Sequence, residues 1–295
     1  MEITVLEVAP RDGLQNQPEH VSTEDKIALI ERSIAAGLRR IEAVAFVNPK
    51  AVPRMADAEA VMAGVPRDPG VSYAGLVFNE RGLDRALAAG VDEINVVVVA
   101  TDTFSTRNQG CTTEEGVRRW LALARRAAEA GLLRTVTIAA AFGCPFEGEV
   151  AEAAVLDLVR RVAEAQPQEI ALADTIGVGT PDRVRRLVTG TAALAPGAVV
   201  RCHFHNTRNT GYANAVAALE AGARVLDAST GGIGGCPFAP AATGNIATED
   251  LLYLLHRMHV RTGIDLAAVA ATGVWLGEVL GAPVPALLGR AGGFP

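Results

Sequence analysis

An α/β fold, a (β/α)8 barrel with an extra C-terminal helical segment, is what this sequence predicts, and three observations predict it. Eight short runs rich in apolar or β-branched residues recur along the chain at roughly regular spacing. Segments of helical period separate them. Ala-Gly pairs close several of those segments just before the next run, at Ala36-Gly37, Ala89-Gly90, Ala130-Gly131 and Ala221-Gly222, where glycine suits the left-handed residue that ends a helix. Strand alternating with helix in this way reads as a closed barrel rather than a doubly wound sheet.

The first strand is ITVLEVAP (3–10). A helix follows from Thr23 to Ala36, behind the capping residues Ser22 and Thr23, with Ile27, Ile30 and Ile34 on one face. The next strands are RRIEAVAF (39–46), VSYAGLVF (71–78), EINVVVVA (93–100) and TVTIAAAF (135–142). The last three are EIALADTI (169–176), AVVRCHFH (198–205) and ARVLDAST (223–230). Residues 247–295 read as one or two further helices with a glycine-rich tail. The architecture expected is a TIM barrel.

A chain of 295 residues fits one large barrel or two small domains. No linker composition or low-complexity stretch marks a boundary, so residues 1–295 read as a single domain. Hydrophobic residues make up 49% and aromatics only 4%, so the core must come from Val, Leu, Ile and Ala, as in helix-wrapped parallel strands. The formal net charge is −6 with Lys and Arg scattered, which argues against a nucleic-acid partner. The four cysteines, at 111, 144, 202 and 236, form neither a disulfide framework nor a CxxC knuckle, and reduced thiols in the cytoplasm are expected. A strand-like run follows Met1 directly, so no leader is expected, and INVVVVA (94–100) is too short to span a bilayer.

Polar residues sit at the ends of these strands. Arg11-Asp12 follows the first, Glu42 lies in the second, Asp174 is late in the sixth, His203 and His205 end the seventh, and Asn245 lies beyond the eighth. In such barrels chemistry collects at the C-terminal ends of strands, so these positions converge on one mouth. His203 and His205 lie two residues apart and therefore share a side of their strand, with Phe204 on the other. An isolated HxH more often splits between core and solvent. Asp12 and Asn245 at the same mouth turn the pair into a metal site of two imidazoles, a carboxylate and an amide oxygen. That set suits an open divalent site for Mg²⁺ or Mn²⁺, with Co²⁺ or Zn²⁺ as alternatives.

Arg11 beside such a metal is placed to stabilise developing anionic charge, unless it serves only a rim salt bridge. Glu42 and Asp174, inside apolar strands, must be paired or functional; either a general base or a supporting partner fits them. The loop GGIGGCPFAPAATGN (231–245) holds five glycines and Cys236, and reads either as a lid carrying an acid or as a tight turn with a buried thiol.

The stretches PRDGLQN (10–16), FVNPKAVPRM (46–55), FGCPFEG (142–148), ADTIGVGTP (173–181), HFHN (203–206) and GGIGGCPFAPAATGNIATEDL (231–251) together resemble hydroxymethylglutaryl-CoA lyase, within the metal-dependent TIM-barrel lyases and aldolases. They run in family order over nearly the whole chain. The resemblance implies a divalent metal on Asp12, His203, His205 and Asn245, with Arg11, Cys236, Glu42 and Asp174 at catalytic positions and Gln15 and Asn108 as substrate-binding neighbours. It also implies retro-Claisen cleavage of a tertiary 3-hydroxyacyl-CoA to acetyl-CoA and a 3-keto acid, a homodimer, and a place in leucine catabolism.

Several residues depart from the family pattern. Ala43, Val44 and Ala45 follow Glu42 where hydroxyls are usual, Asn48 stands for serine, Ala51 for tryptophan and Phe146 for tyrosine. Asn206-Thr207-Arg208 stands where Asp-Thr is typical. These imply a less polar pocket for a bulkier or less hydroxylated acyl group. Two other readings compete with the lyase. A related aldolase or Claisen-type enzyme shares the barrel, but the aldolase branch lacks the GGCPFAP loop. A barrel retained only for binding would have no reason to keep Arg11, Asp12, both histidines, Asn245 and Cys236.

Overall fold

The computed structural model describes residues 1–235 and 244–294. Eight parallel strands close in chain order: β1 (Thr4–Glu7), β2 (Arg40–Ala45), β3 (Ser72–Leu76), β4 (Glu93–Val99), β5 (Leu133–Ala139), β6 (Glu169–Asp174), β7 (Val199–Phe204) and β8 (Val225–Ala228). The barrel shuts where β1 pairs with β8, from Thr4 against Val225 to Glu7 against Ala228. The helices around it are α1 (Thr23–Ala35), α2 (Ala58–Gly64), α3 (Glu80–Ala89), α4 (Asp102–Gln109), α5 (Thr113–Glu129), α6 (Glu152–Ala163), α7 (Pro181–Leu194) and α8 (Gly211–Glu220). The C-terminal segment adds α9 (Thr248–Arg257), α10 (Leu266–Leu280) and the single turn α11 (Leu288–Ala291). That is more helix than the one or two expected, because the left-handed cap at Gly281 and the prolines at 283 and 285 break the segment again. Among the described residues no helix is long and apolar enough to cross a membrane.

Local chemistry explains the elements. The Ser22 hydroxyl accepts the Asp25 N–H at 3.0 Å and caps α1, as its position predicts. Ile30 and Ile34 of that helix are buried against the barrel. In α5, Thr112 and Glu115 form a reciprocal capping box. Trp120, fully buried, donates its indole N–H to the Val162 carbonyl at 2.9 Å and ties α5 to α6. All four predicted helix-closing glycines have positive φ. One element escaped the periodicity: α4 is short and polar, and lays Asn108 over the mouth of the barrel.

The floor is a buried ion cluster. Arg40 of β2 reaches Glu93 of β4 at 2.6 Å and Glu169 of β6 at 2.7 Å. Arg201 of β7 joins Glu169 at 3.1 Å. Each charge has opposite-sign partners, which is what allows it to remain in the interior.

Candidate metal centre and active site

Arg11 and Asp12 reach the mouth because β1 does not end in a simple loop. Residues Ala9–Gly13 form one turn of π-helix, and the N–H groups of Arg11, Asp12 and Gly13 all converge on the Val8 carbonyl, at 3.2, 2.8 and 3.1 Å. Proline at 10 suits the start of such a turn, and single π turns concentrate at functional sites. Glu7, buried just before it, accepts the Ala9 and Thr230 N–H groups and the Thr230 and Thr248 hydroxyls, at 2.6–2.9 Å. This carboxylate pins the ends of β1 and β8 to the start of α9. Burial pushes it above the usual carboxylate range, only partly offset by the Thr230 contacts and the others.

Across the mouth, β7 delivers both histidines on one side, their ring centroids 5.1 Å apart, while Phe204 turns away and packs near Phe142. Asp12, His203 and His205 bring ligand atoms within 4.8 Å of one another. Asn245 arrives by a bridge to His205 and donates its amide N–H to Asp12 at 2.9 Å. Among the described residues its Oδ1 and the His205 Nδ1 have no hydrogen-bond partner, although both are buried. Buried polar atoms are nearly always partnered, so this pair points to a missing ligand. Two imidazoles, a carboxylate and an amide oxygen fit a divalent cation.

The electrostatics separate the two rings. Burial pushes the His203 imidazole down, but the Asp227 hydrogen bond at 3.1 Å and the Asp12 charge outweigh it and leave it raised. Burial and the neighbouring His203 push His205 down to about 4, so it stays neutral and keeps a lone pair at neutral pH. Burial raises Asp12, but Arg11 and the two histidines more than reverse this and leave it at about 2. At neutral pH the site offers a carboxylate and a neutral imidazole, the forms that bind metal.

Arg11 is held from two sides. Its Nη1 donates to Asp12 at 2.8 Å, its Nε donates to Glu42 at 2.7 Å, and its Nη2 also contacts Glu42. The Asn95 amide occupies the other Glu42 oxygen at 2.8 Å. Glu42 is therefore the guanidinium's anchor. The Asp174 carboxylate accepts the Val178 and Gly179 N–H groups, one on each oxygen, at 2.9 Å each in the turn after β6. The cavity is lined beside it by Ala173 and Thr175, and burial raises the Asp174 carboxyl despite those two N–H donors.

That cavity runs over Arg11, Asp12, His203 and His205, with Gln15 and Asn108 at its rim. The Gln15 Oε1 is buried without a hydrogen-bond partner among the described residues, as a substrate-facing acceptor would be. The far wall is apolar: Val47, Val52, Leu76, Phe78, Val97, Val99 and Phe104. A less polar pocket was expected, but on other residues. Ala43 and Ala45 are buried in the barrel, Phe146 stacks edge-on against Phe104, and Asn206 caps the turn before α8 by accepting the Gly211 N–H at 3.1 Å.

Cys236 lies outside the described residues. The stems that flank it press on the site: a Cβ on Gly234 would lie 2.6 Å from the Asn245 amide, and one on Gly244 only 2.0 Å from the Gly234 carbonyl oxygen. No larger residue fits either stem. Sequence reasoning missed Glu7, Asn95, Thr137, Arg201 and Asp227, each a polar residue inside an apolar strand. The signal that singled out Glu42 and Asp174 applied to them equally.

Comparison with known proteins agrees with this geometry. The chain is 43% identical to the (R)-citramalyl-CoA lyase of Chloroflexus aurantiacus, over 98% of this chain and 95% of that protein. It is 44% identical to the hydroxymethylglutaryl-CoA lyase of Pseudomonas mevalonii, over 95% and 93% respectively. It superposes on an HMG-CoA lyase from Acinetobacter baumannii, solved in complex with coenzyme A and 3-methylmalate, with a TM-score of 0.94 at 40% identity, covering 99% of this chain and 95% of that one. A family model described as HMGL-like matches residues 2–274, and the chain belongs to that family.

Proposed function

We propose that the protein is a divalent-metal-dependent carbon–carbon lyase that cleaves a tertiary 3-hydroxyacyl-CoA to acetyl-CoA and a keto acid. One observation carries this reading: Asp12, His203, His205 and Asn245 meet at the barrel mouth with Arg11 fixed beside them, under a cavity whose far wall is apolar. The relatives' lyase activities on acyl-CoA substrates agree with it.

The ion, Mg²⁺ or Mn²⁺ first among the candidates, supplies Lewis acidity toward the substrate's oxygen donors when bound. The chain's own groups do the rest. Transfer of the 3-hydroxyl proton to a general base, for which Asp174 is the proposed acceptor, lets the C2–C3 bond break, its electron pair passing to the thioester as an enolate while C3 becomes the keto carbon. Arg11 is already oriented by Glu42 and Asp12, so it meets that charge without reorganisation, which is where electrostatic catalysis is strongest. Gln15 and Asn108 orient the acyl-CoA at the rim. Cys236, in the segment bounded by the described Gly235 and Gly244, is the proposed proton donor to C2; full activity in Cys236→Ala would remove that role.

A hydroxymethylglutaryl thioester and a citramalyl thioester are both tertiary 3-hydroxyacyl groups, and they differ by one methylene before the distal carboxylate. Discrimination on one methylene is worth about 10–200-fold. The deciding experiment follows acetyl-CoA release from both thioesters, and from longer C3 branches, in metal-supplemented assays. Release from any of them supports the lyase. Turnover of a free 2-oxo acid with no acetyl-CoA release from the panel would replace it with an aldolase or Claisen-type reading.

A further inference from the structure

Inward-facing positions of a (β/α)8 barrel are ordinarily packed with bulky branched residues. Directly beneath this site they are polar. Starting from the Glu42 carboxylate, Asn95 of β4 donates to it at 2.8 Å and accepts the Thr137 hydroxyl of β5 at 2.9 Å. Thr137 in turn accepts Arg201 Nη2 of β7 at 2.9 Å. Arg201 lies 3.4 Å from Asp227 of β8 through Nε, an ion pair rather than an aligned hydrogen bond, and Asp227 holds His203 Nδ1 at 3.1 Å. His203 is the register partner of Asp227, so the contact is built into the sheet. Its other nitrogen, Nε2, faces Asp12 at 3.9 Å.

Arg201 is only 1% exposed and sits two residues before His203, hence one layer deeper on the same side of β7. Its other partner among the described residues is Glu169 of the floor, so this side chain connects the floor to the site. A buried ion pair is weak evidence for stability, since apolar residues of similar volume often serve as well. What an apolar layer does not provide is a fixed carboxylate behind His203.

We propose that Arg201 and Thr137 are positioning residues: with Asn95 they close a polar layer that fixes the Asp227 carboxylate, and through it the tautomer and ring orientation of His203. The ring is held with Nδ1–H toward Asp227 and the Nε2 lone pair toward Asp12, the arrangement that carboxylate partners impose on metal-binding imidazoles. This rests on the assignment of His203 as a metal ligand.

The test is Mn²⁺ binding to the purified protein by titration calorimetry, with thermal unfolding measured on the same samples. Arg201→Met should raise the Mn²⁺ Kd about 10–100-fold, the usual cost of losing a partner behind a metal ligand. Thr137→Val touches no ligand and preserves shape and charge; it should raise Kd toward the lower end of that range, and Thr137→Ser should restore it. If Arg201→Met does not fold, the two Thr137 variants decide the matter. Lowered melting temperature with an unchanged Kd in the folded variants would make the layer purely structural and overturn the proposal. His203→Ala separates the two readings: if it binds Mn²⁺ as tightly as the parent chain, the ligand assignment itself has failed.

Discussion

The two ends of this barrel both bury ionised side chains, and they do so by opposite rules. On the floor, Arg40, Glu93 and Glu169 satisfy one another across three strands, and Arg201 of a fourth joins Glu169. At the mouth, Arg11, Glu42 and Asp12 are paired, but among the described residues Asn245 Oδ1, His205 Nδ1 and Gln15 Oε1 are buried with nothing to bond. A charge kept for stability is fully compensated, because an unpaired one costs more than folding can supply. A site kept for binding leaves its acceptors open for what arrives later. Conserving structure at the N-terminal face and chemistry at the C-terminal face is the general division of labour in this architecture.

The largest effect that would break the comparison is at the mouth. Arg11→Lys keeps the charge beside Glu42 but loses the two-sided fork, and should cut kcat about 10²–10⁴-fold with little change in melting temperature. Steady-state kinetics beside calorimetry reads both; normal turnover would make Arg11 a rim salt bridge. Exhaustive chelation should likewise abolish activity, and Mg²⁺ or Mn²⁺ should restore it. Activity that survives metal-free dialysis would rule out the proposed centre.

The mirror experiment is on the floor. Arg40→Met leaves Glu93 and Glu169 short of a buried partner and should cost about 3–5 kcal/mol of stability. The Mn²⁺ Kd of the folded fraction should not move. A shifted Kd would show that the loss at Arg40 is passed to the site through Glu169 and Arg201.

Glu249 tests the boundary between the ends. It accepts the Gly231 N–H at 3.0 Å, at the foot of the glycine-rich loop, and burial pushes its carboxyl up to about 8. Since its folded value exceeds the unfolded one, near 4.5, its contribution to stability is full below about pH 4.5 and is lost as pH rises toward 8. Between those values the folded state carries one more proton than the unfolded chain, so this group alone lowers stability by up to about 1.4 kcal/mol per pH unit. Glu249→Gln should flatten that slope in pH-dependent unfolding. An unaltered slope would mean that the group titrates normally. The smallest expected effect is on the wall, where Phe78→Ala should shift kcat/KM toward longer C3 branches about 10-fold in a competition assay, and an unchanged ratio would move the specificity wall elsewhere.

Much of this was legible in the linear chain. Strand and helix alternate with periods of 2 and 3.6, and the eight strands formed where the apolar runs lie. The HxH pair needed only the alternation of a strand to place both rings on one side, which they occupy. The polar layer was not legible in the same way. Asn95, Thr137, Arg201 and Asp227 come from four strands far apart in sequence, and nothing local says that their side chains meet. Glu42 and Asp174 show the same limit. Sequence marked both as carboxylates that must be paired, but their partners, Arg11 and Asn95 for one and two backbone N–H groups for the other, depend on the register of the closed sheet.

What the sequence determined by itself, then, was the barrel and which residues gather at its mouth, Asp12, His203, His205 and Asn245, because hydrophobic period and motif spacing are properties of neighbours along the chain. Only the tertiary structure decided which carboxylate anchors Arg11, which supports a turn, and which polar atoms remain open. Those are properties of partners across the barrel, where a shift of one residue in strand register would turn each inward side chain outward.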